Sequence, residues 1–212
     1  MPQNDFDIAA LVGELHPVRP VNTGVMLAVS GVIMCTAMIA IVALAGARAD
    51  LVTGAPDPML LIRTGILALL GFGTAYSVLA MAKPSVGRSH NGWKTAIAAA
   101  MIFPVGGIIA AATGDNAYAT APVTAGMECL FYSLAGGSAA AVPMVMALRK
   151  GAPTSPLRAG WLVGVAAGGL GALAYNFHCP FDSLTYTGLY YTVVVGICAA
   201  AGRLIVPRLI RW

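Results

Sequence analysis

Apolar residues run along this chain in long unbroken stretches, not in the two-residue alternation of a strand or the narrow stripe of a surface helix. Six such runs stand near Gly24–Gly46, Met59–Ala82, Gly92–Ala112, Thr124–Leu148, Leu157–Phe177 and Leu184–Val206. Each has the length of about 20 residues that a helix needs to cross the hydrocarbon core of a bilayer. Charged or turn-forming segments separate them: Arg48-Ala49-Asp50 with Pro56 and Pro58, Lys83-Pro84 to Asn91, Gly114-Asp115-Asn116, Arg149-Lys150-Gly151 with Pro153 and Pro156, and His178 to Ser183. The pattern predicts an all-α integral membrane protein of six transmembrane helices, with residues 23–212 as the membrane domain and residues 1–22 as a separate leading segment.

That leading segment has its own pattern. Asn4 or Asp5 is suited to cap a helix, and Ile8, Leu11, Val12 and Leu15 then fall on one face. Pro17 ends it and Pro20 stiffens the passage to the first run. A helix of about three turns is marginal alone in water, so its apolar face needs a surface to cover. Two readings stay open: a helix lying on the membrane or on neighbouring loops, and a docking helix for a soluble partner. Asp5, Asp7 and Glu14 make its polar face acidic, which disfavours anionic lipid. The absence of a basic start before an apolar stretch predicts that the segment is not a cleaved signal.

Composition reinforces the membrane reading. The 212 residues are 58% hydrophobic and 9% charged, with mean hydropathy +0.82; soluble domains carry about 25% charged residues. The basic residues also give the chain a direction. With six spans the termini share a side. That side holds Arg19, Lys83, Arg88, Lys94, Arg149, Lys150, Arg158, Arg203, Arg208 and Arg211, against Arg48 and Arg63 opposite. The excess predicts cytoplasmic termini. Trp93, Trp161 and Trp212 fall near the same boundary, where indoles prefer to sit. Small residues mark helix contacts: Gly160, Gly164 and Gly168 at four-residue spacing, then Gly171, with Gly106-Gly107 and Gly136-Gly137 in reserve. Pro104 and Pro143 are placed to kink their helices. Arg63, early in the second run, is expected to snorkel outward or to pair with Asp57.

The candidate chemistry is thiol chemistry. In this topology Cys129 and Cys179 both lie at the non-cytoplasmic edge, Cys129 at the outer end of the fourth run and Cys179 in the short break His178-Cys179-Pro180-Phe181-Asp182. Their runs are joined by a short loop and should be neighbours. Three readings compete: a permanent disulfide, suited to an oxidising compartment; a reversible switch in which an exposed thiol is oxidised and then resolved by its partner; and a metal site built from Cys129, Cys179 and His178, with Glu128 or Asp182. His178, Glu128 and Asp182 are also the residues placed to modulate the thiols. Cys35 and Cys198 sit deep in apolar runs and read as small buried hydrophobes.

Other chemistries lack their residues. The sequence has no phosphate-cradling glycine loop, HExxH or nucleophile elbow. Its predicted inner loops of about ten residues are too short for a catalytic domain. Ionisable groups are scarce in the middle of the runs, unlike an ion-coupled transporter. No cofactor, no enzymatic activity and no direct nucleic-acid contact are expected. A small membrane thiol oxidoreductase, or a metal-sensing or carrier protein, stands as the alternative.

Several stretches together resemble a known family. They are Asp7-…-Leu11-…-Leu15-x-Pro17-Val18-Arg19-Pro20, Glu128-Cys129-Leu130, Arg149-Lys150-Gly151-Ala152-Pro153, His178-Cys179-Pro180-x-Asp182-Ser183 and the ending Arg203-…-Arg208-…-Arg211-Trp212. In this order the chain is similar to the NrsF-type negative regulators of extracytoplasmic-function sigma factors, departing at Phe181, where the family often has a polar residue. The resemblance implies a six-span inner-membrane anti-sigma factor. Asp7, Leu11, Leu15 and Pro17 become its sigma-binding motif. Cys129 and Cys179 become a sensor pair that answers oxidants or heavy metals.

Overall fold

The computed structural model describes residues 22–83, 92–114, 123–151 and 153–210. Those residues form seven helices and no strand: α1 (Thr23–Ala45), α2 (Ala49–Val52), α3 (Pro58–Met81), α4 (Gly92–Ala112), α5 (Val123–Lys150), α6 (Pro156–Asn176) and α7 (Leu184–Leu209). All but the single-turn α2 are long and apolar enough to cross a membrane. The six long helices match the six apolar runs to within about three residues. The expected leading helix and its Asp7, Leu11, Leu15 and Pro17 lie outside the described residues.

Local sequence sets the ends. Asn22 accepts the Val25 N–H, Asp57 accepts the Met59 N–H, and Ser183 accepts the Tyr186 N–H, each side chain satisfying an N-terminal donor. Pro58 and Pro156 occupy first turns, where no N–H is needed. Gly46 closes α1 with φ of 97°, a backbone only glycine adopts freely.

α6 is the axis of the bundle. It meets every other long helix, and residues Ala159 to Asn176 are all buried apart from the intermediate Trp161. Such central placement requires a slim helix. A Cβ at Gly168 would stand 2.7 Å from Val195 Cα of α7, and one at Gly169 would stand 2.9 Å from the Gly71 nitrogen of α3. At Gly164 and Gly171 it would overlap backbone of Cys198 and Ser133. The expected Gly160-Gly164-Gly168 face therefore packs on α7, while Gly169 and Gly171 admit α3 and α5. Of the paired glycines, Gly107 and Gly137 sit at close contacts with Gly188 and Ala167; Gly106 faces open space and Gly136 makes only ordinary contact.

The contacts also sort the two ends. The α1–α3 connection and the 177–183 loop meet at one end. At the other, Gly151 packs on Ala82, and the first turns of α4 and α6 meet the last turns of α7.

These contacts predict that Gly164→Val lowers the thermal midpoint of the purified protein in detergent, by the equivalent of about 1–3 kcal/mol, the usual penalty of overpacking. Gly73→Ala, where a Cβ meets nothing within 4 Å, should leave the midpoint unchanged or slightly raised.

Candidate functional site

The 177–183 loop emerges from the C-terminal end of α6, and almost every polar group in it is tied to another element. Arg48 donates from Nη1 to the Cys179 carbonyl at 2.8 Å and from Nη1 and Nη2 to the two Asp182 oxygens, both at 3.0 Å. Its Nε donates to Asp50 Oδ1 at 2.8 Å. From α3, Arg63 donates to the Phe181 carbonyl at 2.6 Å and to Asp182 Oδ1 at 3.0 Å. The Arg48 N–H also reaches the Phe177 carbonyl at 3.3 Å. Two guanidinium groups and two carboxylates thus balance in charge.

That balance is what permits the burial. The Arg48 and Arg63 side chains are 4% and 1% exposed, and an unpaired buried cation would carry a desolvation penalty of several kcal/mol. For Arg48, burial alone favours losing the proton. Hydrogen bonds that Arg48 donates to the Asp50 and Asp182 carboxylates outweigh it and hold the pKa above the ordinary arginine value. The Asp50 carboxyl is pulled down to about 2, first by Arg48 and then by the Asp57 N–H. Arg63 neither snorkels nor pairs with Asp57, as its sequence position had led us to expect. The carboxylate that meets it is Asp182, from a loop 119 residues away.

Both thiols lie beneath this clamp. Cys129, on α5, and Cys179 are each fully buried and belong to one packed cluster. They lie close enough for charge on one to act on the other. Neither is in a disulfide, so the permanent bridge considered from the sequence is not the state observed. The expected exposed thiol is not observed either. Burial raises the Cys179 pKa above its usual value, more than the backbone of Phe181 and the nearby arginines lower it. At rest it is a protonated, shielded thiol, which is a poor nucleophile. Aromatic rings wall the cluster: Phe181 on Tyr186 and Tyr186 on Tyr190, both at 4.6 Å, and Tyr132 stacked on Tyr175 at 6.3 Å.

The remaining candidates are placed differently. His178 Nδ1 lies 2.7 Å from the Gly46 carbonyl, which makes it the donor there, and its ring meets Tyr175 edge-on. It latches the loop to the end of α1. Asp182 serves the arginines, and Glu128 is exposed on α5 beside the buried Cys129. Among the described residues no three His, Cys, Asp or Glu side chains form a metal-holding group, so Cys129, Cys179 and His178 do not assemble the metal site considered from the sequence. Cys198 is buried as expected, whereas Cys35 is exposed on the outside of α1.

Sequence reasoning missed Arg48, Asp50, Thr64, Asn176 and Tyr191. Asn176 donates to Thr64 Oγ1 at 2.9 Å and accepts from the Tyr191 hydroxyl at 3.2 Å, tying α6 to α3 and α7 just below the thiols. The available signal was charge scarcity. Arg48 and Arg63 were the two basic residues assigned to the outer side, and an isolated arginine within an apolar run calls for a buried acid.

Comparison with known proteins bears on what this arrangement is for. The family described as "NrsF: Negative regulator of sigma F" matches residues 11–212. The chain is 30% identical over 172 residues to the "Anti-sigma-F factor NrsF" of Caulobacter vibrioides (strain NA1000 / CB15N), covering 78% of each protein. It is 28% identical over 186 residues to the "Probable anti-sigma-F factor NrsF" of Azospira oryzae (strain ATCC BAA-33 / DSM 13638 / PS), covering 83% of each. No solved structure matches.

The clamp predicts that Asp182→Asn exposes Cys179. Removing the shared carboxylate strands the buried Arg63 cation and leaves Arg48 paired with Asp50 alone, at a cost of about 1–3 kcal/mol. That is below the full buried-pair value, because the Asp182 side chain is itself 41% exposed. Maleimide labelling of Cys179 in intact membranes should then be at least about tenfold faster than in wild type, following the larger open population.

Proposed function

This chain belongs to the NrsF family of negative regulators of sigma F, and from that premise we propose that it is a membrane anti-sigma factor gated by its buried thiol pair. It sits in the inner membrane with both termini in the cytoplasm. It sequesters a sigma factor of the extracytoplasmic-function class through the segment holding Asp7, Leu11, Leu15 and Pro17. The apolar positions Leu11 and Leu15 supply the buried area of that contact. Residues 1–22 then act as the output and residues 23–212 as the sensor.

The observation that carries the sensing role is the burial of Cys129 and Cys179 in one cluster directly under the clamped loop. In the resting state both are thiols and the loop is held by Arg48 and Arg63. A small two-electron oxidant of the peroxide or hypohalous acid class takes the pair to a disulfide. Each thiol gives up its proton, the two sulfurs together give up two electrons and form one S–S bond, and the oxidant is reduced to water or halide with water. Forming that bond demands Cα atoms within about 7 Å and a sulfur separation of about 2 Å. On this reading, bond formation pulls the 177–183 loop against the hydrogen bonds that Arg48 and Arg63 make to its Cys179 and Phe181 carbonyls. Metal binding is not part of the proposal, since the described residues offer the thiols no third donor.

Movement at this end has a physical route to the other. α6 begins at Pro156 among the last turns of α7 and ends at the loop, and it packs against each other long helix, with close backbone contacts at its glycines. A shift of its C-terminal end changes its fit along the whole bundle. Release of the sigma factor follows when the leading segment loses its holding geometry.

Two measurements test the two halves separately. In a sigma-dependent reporter strain, Cys179→Ser should keep expression at the repressed level during oxidant exposure, while Cys35→Ser induces as wild type does. Full induction in Cys179→Ser refutes the thiol switch. In a pull-down from solubilised membranes, Leu11→Ala with Leu15→Ala should reduce sigma capture by at least about 100-fold, the worth of two buried leucine contacts. Capture at the wild-type level removes the leading segment from the interaction.

A further inference from the structure

At the end of the bundle opposite the thiols, Trp93 and Ile97 of α4, Arg158 and Trp161 of α6, and Arg203 of α7 line a cleft of about 250 Å³. The two arginines are exposed, come from different helices and converge on the same space. Lys94 adds a third cation, its ammonium 5.8 Å from the Trp93 ring centre. Among the described residues, ion pairs form at Arg48 and Arg63 and no carboxylate lines this cleft. The contrast between the two ends is therefore chemical. At the thiol end every buried guanidinium meets a carboxylate of its own chain. Here, among the described residues, two guanidinium groups share a cleft that no carboxylate lines.

We propose that this cleft is a binding site for the headgroup of an anionic phospholipid. A guanidinium matches a phosphate with two parallel hydrogen bonds, and two of them from separate helices can grip one phosphodiester from both sides. The walls favour a lipid over a free anion. Two indoles and Ile97 offer apolar surface to the glycerol and upper acyl carbons, and indoles settle at headgroup level by their amphipathic character. Basic clefts between transmembrane helices are a recurrent way to hold anionic headgroups. The occupant joins α4, α6 and α7 at one point and supplies the charge they lack. The inference rests on the six helices spanning a bilayer and is independent of sigma binding and of the thiols.

The experiment uses the full chain, purified in mild detergent and reconstituted into phosphatidylcholine nanodiscs with graded phosphatidylglycerol. Spin-labelled phosphatidylglycerol and phosphatidylcholine report proximity through quenching of tryptophan fluorescence. Wild type should be quenched saturably, with a preference for phosphatidylglycerol. Arg158→Gln with Arg203→Gln should reduce that preference by about thirtyfold, as expected for two basic groups at an anionic surface. Arg149→Gln with Lys150→Gln removes the same two charges at exposed positions outside this cleft and should leave the preference within about twofold of wild type, the scale of a screened surface charge. Unchanged helical circular dichroism in phosphatidylcholine certifies that each variant is folded. Equal quenching by the two lipids in wild type overturns the proposal, as does equal loss in both double variants, which marks a diffuse charge effect. Competition by inorganic phosphate without any preference for phosphatidylglycerol assigns the cleft to a free anion. Intact lipid preference with lost sigma capture in Arg158→Gln/Arg203→Gln assigns it to the protein partner. Release of wild type from native membranes by alkaline carbonate fails the membrane reading itself, and does so before any lipid is compared.

Discussion

Six helices here are long and apolar enough to cross a membrane, and helices in lipid gain nothing by hiding apolar side chains from one another, since acyl chains are equally apolar. What holds them is close contact of backbone and small side chains, and here that contact converges on α6. Its sequence from Gly160 to Gly171 is nearly all glycine, alanine, valine and leucine, and glycines on different sides of it admit α3, α5 and α7. Glycine contacts of this kind tie α6 closely to three neighbours. Its N-terminal end carries Arg158 and Trp161, its C-terminal end carries Asn176 and the thiol loop, and displacement of one is felt at the other. The placement of both candidate sites, at opposite ends of this helix, follows from that packing.

The loop that α6 delivers is held by an interaction of a different kind. Arg48 and Arg63 give up hydration to lie beneath the surface, and Asp182 repays part of that cost to both at once. Such an arrangement is balanced only while all members are present. It makes a poor stabiliser in the ordinary sense, because well-packed apolar residues would hold the same loop at lower desolvation cost. It makes a good latch. The loop is fixed through three of its carbonyls and one carboxylate, so a few ångströms of movement breaks several charged hydrogen bonds together. The thiols underneath are shielded for as long as the latch holds, which explains why a cysteine at the end of a span is fully buried.

Much of this was legible from residue order. The six long helices follow the apolar runs because a bilayer-length stretch of apolar residues has little choice of conformation. The glycines on α6 declared their role through spacing. Cys129 and Cys179 were correctly placed at a common end. Their burial was not legible, because exposure at the end of a span depends on which loops fold over it. The pairing of Asp182 with Arg48 and Arg63 was hidden for the same reason. Asp57 lies six positions from Arg63 and Asp182 lies 119 away, and local proximity favours the wrong partner. Asp57 is instead occupied in capping α3. The role of His178 was misjudged through its sequence neighbour: adjacency to Cys179 suggested thiol activation, whereas the ring turns to the Gly46 carbonyl.

The buried thiol pair also constrains what kind of signal the fold can answer. A shielded, protonated thiol reacts slowly with most electrophiles, since the thiolate is the reacting species. A large or charged oxidant cannot reach the sulfurs of two fully buried cysteines while the loop is latched. Two routes to reaction remain: a small neutral oxidant entering the closed cluster, or transient opening of the loop as the arginine–aspartate latch breaks. On the proposed thiol-switch reading, the second route lets the latch set the threshold, because the fraction of time the thiols are open depends on the stability of the Arg48–Asp182–Arg63 contacts. Under the proposed switch, sensitivity is tuned by a charge network that contains no sulfur.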